Sequence, residues 1–162
     1  MKNNIEKTNV MRLLDVANIC YGAREYDPEV TDGESVASLL NEPCERVFKT
    51  LVCVGGVKEY YVFVIPVNTT LDFKKASKSV GVKAIEMLKQ KDLFNLTGYV
   101  HGGCSPIGMK KPFITVIDET AILFDKIFVS AGKKGRQIEI NPNDLRSYIG
   151  GTFADLSKSE TV

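Results

Sequence analysis

The chain holds one histidine, His101, and four cysteines, Cys20, Cys44, Cys53 and Cys104, none of them spaced as Cys-x-x-Cys. That supply leaves no ligand set for a structural zinc site, and a chain of 162 residues can fold without a disulfide framework. Reduced thiols and a cytoplasmic location are expected. Charge of one sign is also scarce, since 21 Lys and Arg against 20 Asp and Glu give a net charge of +1. A strongly basic nucleic-acid coat is thereby excluded. A local patch is not: Lys110, Lys111, Lys126, Lys133, Lys134 and Arg136 fall in one stretch. No apolar run reaches the length of a signal-peptide core or a membrane span, and the opening MKNNIEKTNVMRLL is too polar for either. Walker-type and dinucleotide-binding glycine patterns are missing, and nothing calls for a cofactor.

What is present reads as one soluble domain. The 44% hydrophobic and 25% charged residues are those of an ordinary globule with a sizeable core. Apolar residues between Asn4 and Ala17 recur at helical spacing. Ile19–Tyr26 reads as extended, and DGESVASLLNEP as a short helix before Pro43. Arg46–Val54 and Tyr60–Val67 form a hairpin signal around Gly55-Gly56. TTLDFKKASKSVG predicts a helix with Thr70 or Asp72 near its start and Gly81 as its stop. A short strand at Lys83–Met87 and a helical turn at Lys91–Leu96 precede a Gly/Pro-dense loop, YVHGGCSPIGMKKP. Strands follow at Phe113–Ile117, Lys126–Ser130 and Gln137–Ile140. NPNDLRSYIGG closes the fold as a helix with Asn141 as N-cap, Pro142 at the first position and Gly150 as C-cap. Five or six strands and four or five helices give an α+β domain over residues 1–156, with a frayed tail, DLSKSETV, and no internal repeat.

Three stretches break the expectations of packing alone. VFKTLV, Val47 to Val52, places a lysine between two aliphatic residues on one face of a strand. Lys49 is either a gatekeeper on a sheet edge or an ammonium half-buried in a pocket, where it attracts an anion or lowers a neighbour's pKa. GGCSPIG, Gly102 to Gly108, brings paired glycines whose N–H groups can approach a ligand; the bland alternative is a tight turn. VSAGKKGRQIEI interrupts a strand beside Lys133 and Lys134, as a phosphate contact or as a solvated hairpin tip. A nucleophilic pairing of Cys104 with His101 has no orienting carboxylate nearby in sequence.

VFKTLV, YYVFVIPV, LDFKKASKSVG, IEM, LTGY, GGCSPIGMKK, TVIDE and IFVSAGKKGRQIEI, in this order, resemble the YbaK family of freestanding editing proteins that deacylate mischarged tRNA. The resemblance runs from about Thr8 to about Ile149, with the family's lysine at Lys49 and its G-x-x-x-P loop at Gly102 to Pro106. It is nearest to the Cys-tRNA(Pro) deacylase branch, and a similar domain is inserted in some prolyl-tRNA synthetases.

This resemblance implies one mixed, barrel-like sheet wrapped by helices, and as substrate a cysteine esterified to the 3′ end of a proline tRNA. A pocket that accepts proline cannot reject cysteine by much, because small apolar differences yield only ~1–3 kcal/mol, so a second site supplies the discrimination. In the implied mechanism the substrate's thiol attacks its own ester carbonyl. Lys49 supplies positive charge, Gly102 and Gly103 steady the oxyanion, and Thr50, Ser105, Pro106, Ser130, Lys133, Gln137 and Tyr26 surround the substrate. Gln137 stands where some members carry an aspartate, and Tyr26 substitutes for a pocket aromatic without a clear counterpart. The implied partners are aminoacyl-tRNA and prolyl-tRNA synthetase, with no membrane. Two alternatives remain open: a water-using deacylase for Ala-tRNA(Pro) or another small amino acid, and a non-catalytic tRNA- or synthetase-binding module.

Overall fold

The computed structural model describes residues 6–159. Side chains that cap the backbone set the helix ends. Helix α1 (Asn9–Val16) is opened by Thr8, whose hydroxyl accepts from the N–H of Met11. It therefore begins later than the apolar stripe suggests, and Asn4 and Ile5 lie outside the described residues. Helix α2 (Gly33–Leu40) is capped by the Asp32 carboxylate and closed by Asn41 in the left-handed region. Helix α3 (Phe73–Val80) starts at the Asp72 cap and stops at Gly81. Helix α4 (Gln90–Thr97) stops at Gly98. Helix α5 (Pro142–Ile149) has the expected Asn141 cap and Gly150 stop. Among the described residues no helix is long and apolar enough to cross a membrane.

The strands are β1 (Tyr21–Glu25), β2 (Phe48–Gly56), β3 (Glu59–Pro66), β4 (Thr69–Leu71), β5 (Glu86–Met87), β6 (Ile114–Asp118), β7 (Ile127–Ser130), β8 (Arg136–Ile140), β9 (Thr152–Ala154) and β10 (Ser157–Ser159). They make three ladders, ordered β5-β2-β3-β6-β9, β1-β8-β7 and β10-β4. Pairing is parallel for β3–β6 and β6–β9 and antiparallel elsewhere, so the domain is mixed α+β as expected. The strands expected in one barrel-like sheet are divided among these three ladders. No ladder closes on itself among the described residues, and one parallel bridge, Val47 to Phe128, joins the two larger sheets.

Two local expectations also change. Thr69–Leu71 is strand rather than helix start, because it pairs with β10, and Asp72 alone caps α3. The segment expected to fray is ordered through Ser159. Leu156 is fully buried, and the buried Asp118 carboxylate accepts from the N–H groups of Leu156 at 2.9 Å and Ser157 at 3.1 Å.

Strand alternation divides the core. Cys53, Tyr61, Phe63 and Ile65 of β2 and β3 pack with Leu71, Ala76 and Leu156 on one face. Phe48 and Val64 turn the other way, onto Val10, Met11, Leu14 and Ile138.

Candidate active site

Beyond the Val47–Phe128 bridge, the edge of β2 that faces β7 has no strand partner until Cys53 meets Met87 of β5. Two sheets tied at one point and then diverging leave a wedge between them. A cavity of about 350 Å³ fills that wedge, within the size range of small-ligand sites. Lys49 and Thr50 line it from β2, Ser130 from β7 and Gln137 from β8. The glycine loop adds His101, Gly102 and Cys104, and the segment before α2 adds Tyr26, Thr31 and Asp32. Its apolar wall is built from Val36, Val47, Leu51, Val67 and Leu93.

Lys49 is half-buried and pairs in register with Ile65, so its stem follows the aliphatic face of the hairpin. Its Nζ lies 3.5 Å from the Val67 carbonyl oxygen. No carboxylate forms an ion pair with it among the described residues. The ammonium therefore sits in a cavity wall with its charge unneutralised, ready for an anionic or carbonyl oxygen.

Two buried acceptors in the same cavity, Thr50 Oγ1 and Gln137 Oε1, have no hydrogen-bond partner. A buried polar atom left without a partner costs about 1–3 kcal/mol, so two of them on residues that line one cavity mark a place for a hydrogen-bonding group of a ligand. Ser130 Oγ accepts from the N–H of Gly132 at 3.2 Å, which leaves its own hydrogen to donate. Tyr26 is held at the rim by its N–H, which donates to the Gly135 carbonyl at 2.9 Å.

The glycine loop divides its expected duties. Gly102 lines the cavity at φ +87°, and a Cβ there would sit 2.8 Å from the Thr31 methyl. Its N–H has no partner among the described residues. Gly103 is absent from the cavity wall, and its N–H donates to Val100 O at 3.0 Å. Gly103 instead serves close packing, since a Cβ would come within 3.1 Å of Lys134 N. Ser105 is fully buried outside the cavity, and its Oγ accepts from Ile107 N at 3.2 Å. Pro106 borders a separate groove with Phe113 and Tyr148. Lys133 is exposed on a neighbouring groove.

Cys104 and His101 do share the cavity, but burial pushes the Cys104 thiol up to about 12. It therefore stays protonated at neutral pH, and a neutral thiol is a poor nucleophile. No group of three His, Cys, Asp or Glu side chains that could hold a metal occurs among the described residues.

Thr31, Asp32 and Gly33 were legible from sequence only as a helix start. Asp32 accepts from Ser35 N at 3.1 Å, and hydrogen bonding from Ser35 holds its carboxyl below the usual range. Gly33 has a separate reason to lack a side chain, because a Cβ would fall 2.5 Å from Val67 Cγ1 in the cavity wall.

The family model for the aminoacyl-tRNA editing domain matches residues 27–148, which include the lysine strand, the glycine loop and strands β2 to β8. The chain belongs to this family. EbsC of Enterococcus faecalis, provisionally named a Cys-tRNA(Pro)/Cys-tRNA(Cys) deacylase, is 45% identical over 161 residues, covering 98% of both chains. The proline–tRNA ligase of Thermosipho africanus is 26% identical over 131 residues, which are 81% of this chain and 23% of that one. A solved structure described provisionally as a trans-editing enzyme for prolyl tRNA synthetase superposes with a TM-score of 0.81 at 22% identity, covering 95% of this chain and 100% of the other. That last likeness shows that the editing-domain fold is shared.

Proposed function

We propose that this editing domain is a freestanding deacylase that removes cysteine from mischarged proline tRNA, and from cysteine tRNA as a second substrate. The observation that carries the reading is one cavity lined together by Lys49, Gly102, Thr50 and Gln137, with a cation that has no ion-pair partner among the described residues and two polar oxygens that have no hydrogen-bond partner. The full-length likeness to EbsC supports the substrate.

In this reading the cysteinyl ester enters with its carbonyl between Lys49 and the Gly102 N–H. The substrate thiol, with a free pKa near ~8.5, loses its proton more readily beside the Lys49 ammonium. Its sulfur attacks the ester carbonyl carbon, forming a C–S bond and a tetrahedral oxyanion. Lys49 and the Gly102 N–H stabilise that oxyanion. Collapse breaks the bond to the ribose oxygen, which takes a proton and leaves as the free tRNA hydroxyl. The amino acid departs as a four-membered thiolactone that water then opens. Thr50 and Gln137 accept hydrogen bonds from the substrate's amino group, and Ser130 donates to the ribose. Cys104 takes no covalent part.

The likeness to part of a proline–tRNA ligase supports cooperation with that synthetase in the cytoplasm, where tRNA is charged. Single-turnover release from Cys-tRNA(Pro), Ser-tRNA(Pro), Ala-tRNA(Pro) and Cys-tRNA(Cys) tests the reading. Fast release confined to cysteine esters is expected. Equal rates for cysteine and serine reject the thiol route; release of alanine alone points to activated water, and no release with retained tRNA binding points to a binding module.

A further inference from the structure

A second concavity, of about 530 Å³, adjoins the cavity and has a different character. Phe94, Val100, Lys133, Lys134 and Arg136 line it. Phe94 is 55% exposed although its neighbour Leu93 lines the cavity wall, and Val100 is 45% exposed next to the cavity residue His101. Helix α4 and the glycine loop thus contribute residues to both concavities. Lys134 marks the junction, because its Cγ lies 3.7 Å from where a Gly102 Cβ would be.

The charges here are unevenly satisfied. Arg136 is committed to Glu25 at 3.3 Å and to the Glu6 carbonyl at 2.8 Å. Lys133 and Lys134 are exposed and have no ion-pair partner among the described residues. Lys110 Nζ stands over the Phe94 ring, 5.4 Å from its centroid, and donates to Asn95 O at 3.3 Å. One face of the aromatic ring is therefore backed by a cation. In a chain of net charge +1, three cations gathered around an exposed phenyl ring at the mouth of a cavity form a local site.

An exposed aromatic ring among unneutralised lysines suits a ligand that alternates flat rings with anions, as single-stranded nucleic acid does. We infer that this groove is the track for the single-stranded nucleotides that precede the aminoacylated terminal nucleoside, with Phe94 stacking a base and Lys133 and Lys134 contacting phosphates. The inference rests on the deacylase reading for what occupies the cavity, and it adds the direction in which the strand leaves.

The test is the affinity of the full-length protein for a short fluorescent single-stranded RNA ending in adenosine, measured by anisotropy over a range of salt. Phe94→Ala should weaken binding by about 10-fold, the order of one lost base–aromatic stack, while Phe94→Tyr restores it. The loss should vanish on an RNA whose nucleotides before the terminal one are abasic. Replacing Lys133 and Lys134 together by Ala should lower the log–log salt slope by about 1.4, roughly 0.7 for each phosphate contact to a single strand. Lys83→Ala, an exposed lysine outside both concavities, should change nothing. Unchanged affinity in Phe94→Ala, or an unchanged slope in the double variant, overturns the assignment. Release from Cys-tRNA(Pro) by the unaltered protein is followed in parallel. Its absence removes the deacylase reading, whereas RNA affinity alone judges the groove.

Discussion

The Nζ of Lys49 lies 3.5 Å from the carbonyl oxygen of Val67 and forms no ion pair with a carboxylate among the described residues. A lysine placed this way contributes little to folding through ion pairing. Lys49→Ala should therefore leave the thermal midpoint within a few degrees of wild type. It should lower the deacylation rate by about 10²–10³-fold, the effect of losing one preorganised electrostatic group. Circular dichroism melts and single-turnover rates on one preparation check both halves. Full activity, or an unfolded variant, counts against the assigned role.

Gly102→Ala should harm both stability and turnover. The residue has φ +87°, costly for an L side chain by about 1–3 kcal/mol, and the added methyl would meet Thr31 Cγ2 at 2.8 Å. Adding Thr31→Ala removes the Cγ2 clash but leaves Thr31 Cβ at 3.0 Å and the backbone strain, so the double variant should recover part of the lost stability. Chemical denaturation of the three proteins measures the partition; full recovery would mean that the backbone conformation carries no cost.

Cys104→Ser should retain a rate within about twofold of wild type, because a thiol held protonated is not the nucleophile. Alkylation at neutral pH should be slower at Cys104 than at the exposed Cys20. A collapse in turnover would restore the cysteine to the mechanism.

Stability should decline in alkali. Burial raises the thiols of Cys53 and Cys104 from 9.0 to about 12 and the Tyr99 phenol from 10.0 to about 12. Between those values the folded state keeps protons that the unfolded chain has released. The unfolded state then binds fewer protons, so stability is intact below about pH 9 and falls as pH rises toward 12. Denaturant midpoints from neutral pH upward test the sign; a rise across that window would contradict it.

Asp118→Ala should cost about 3 kcal/mol or more, since the carboxylate accepts from Leu156, Ser157 and Thr120 in a buried position. Faster hydrogen exchange after Gly151 would locate the damage in β9 and β10. Loss spread evenly over the whole domain would instead mean that the C-terminal strands are not the part it secures.

Much of this molecule was readable along the chain because the signals are local. Asp32, Asp72 and Asn141 cap helices with their own side chains, and Gly81, Gly98 and Gly150 end helices by adopting a backbone conformation that most residues avoid. The hairpin of β2 and β3 followed from alternation around Gly55-Gly56, and the same alternation told that Lys49 shares a face with Leu51. It did not tell where the neighbouring sheet parts from β2, which is what makes the cavity.

The linear order of residues therefore determined the α+β class, most element boundaries and the presence of an ammonium among aliphatic side chains. Only the tertiary structure decided that Gly102 faces the cavity while Gly103 gives its N–H to Val100, that Ser105 and Pro106 lie outside, and that the C-terminal segment pairs rather than frays. These outcomes depend on groups far apart in the chain, such as Asp118 and Leu156 or Gly102 and Thr31. Hydrogen bonds and contact distances at that separation are set by how whole sheets pack, and no pattern within a dozen neighbouring residues contains that information.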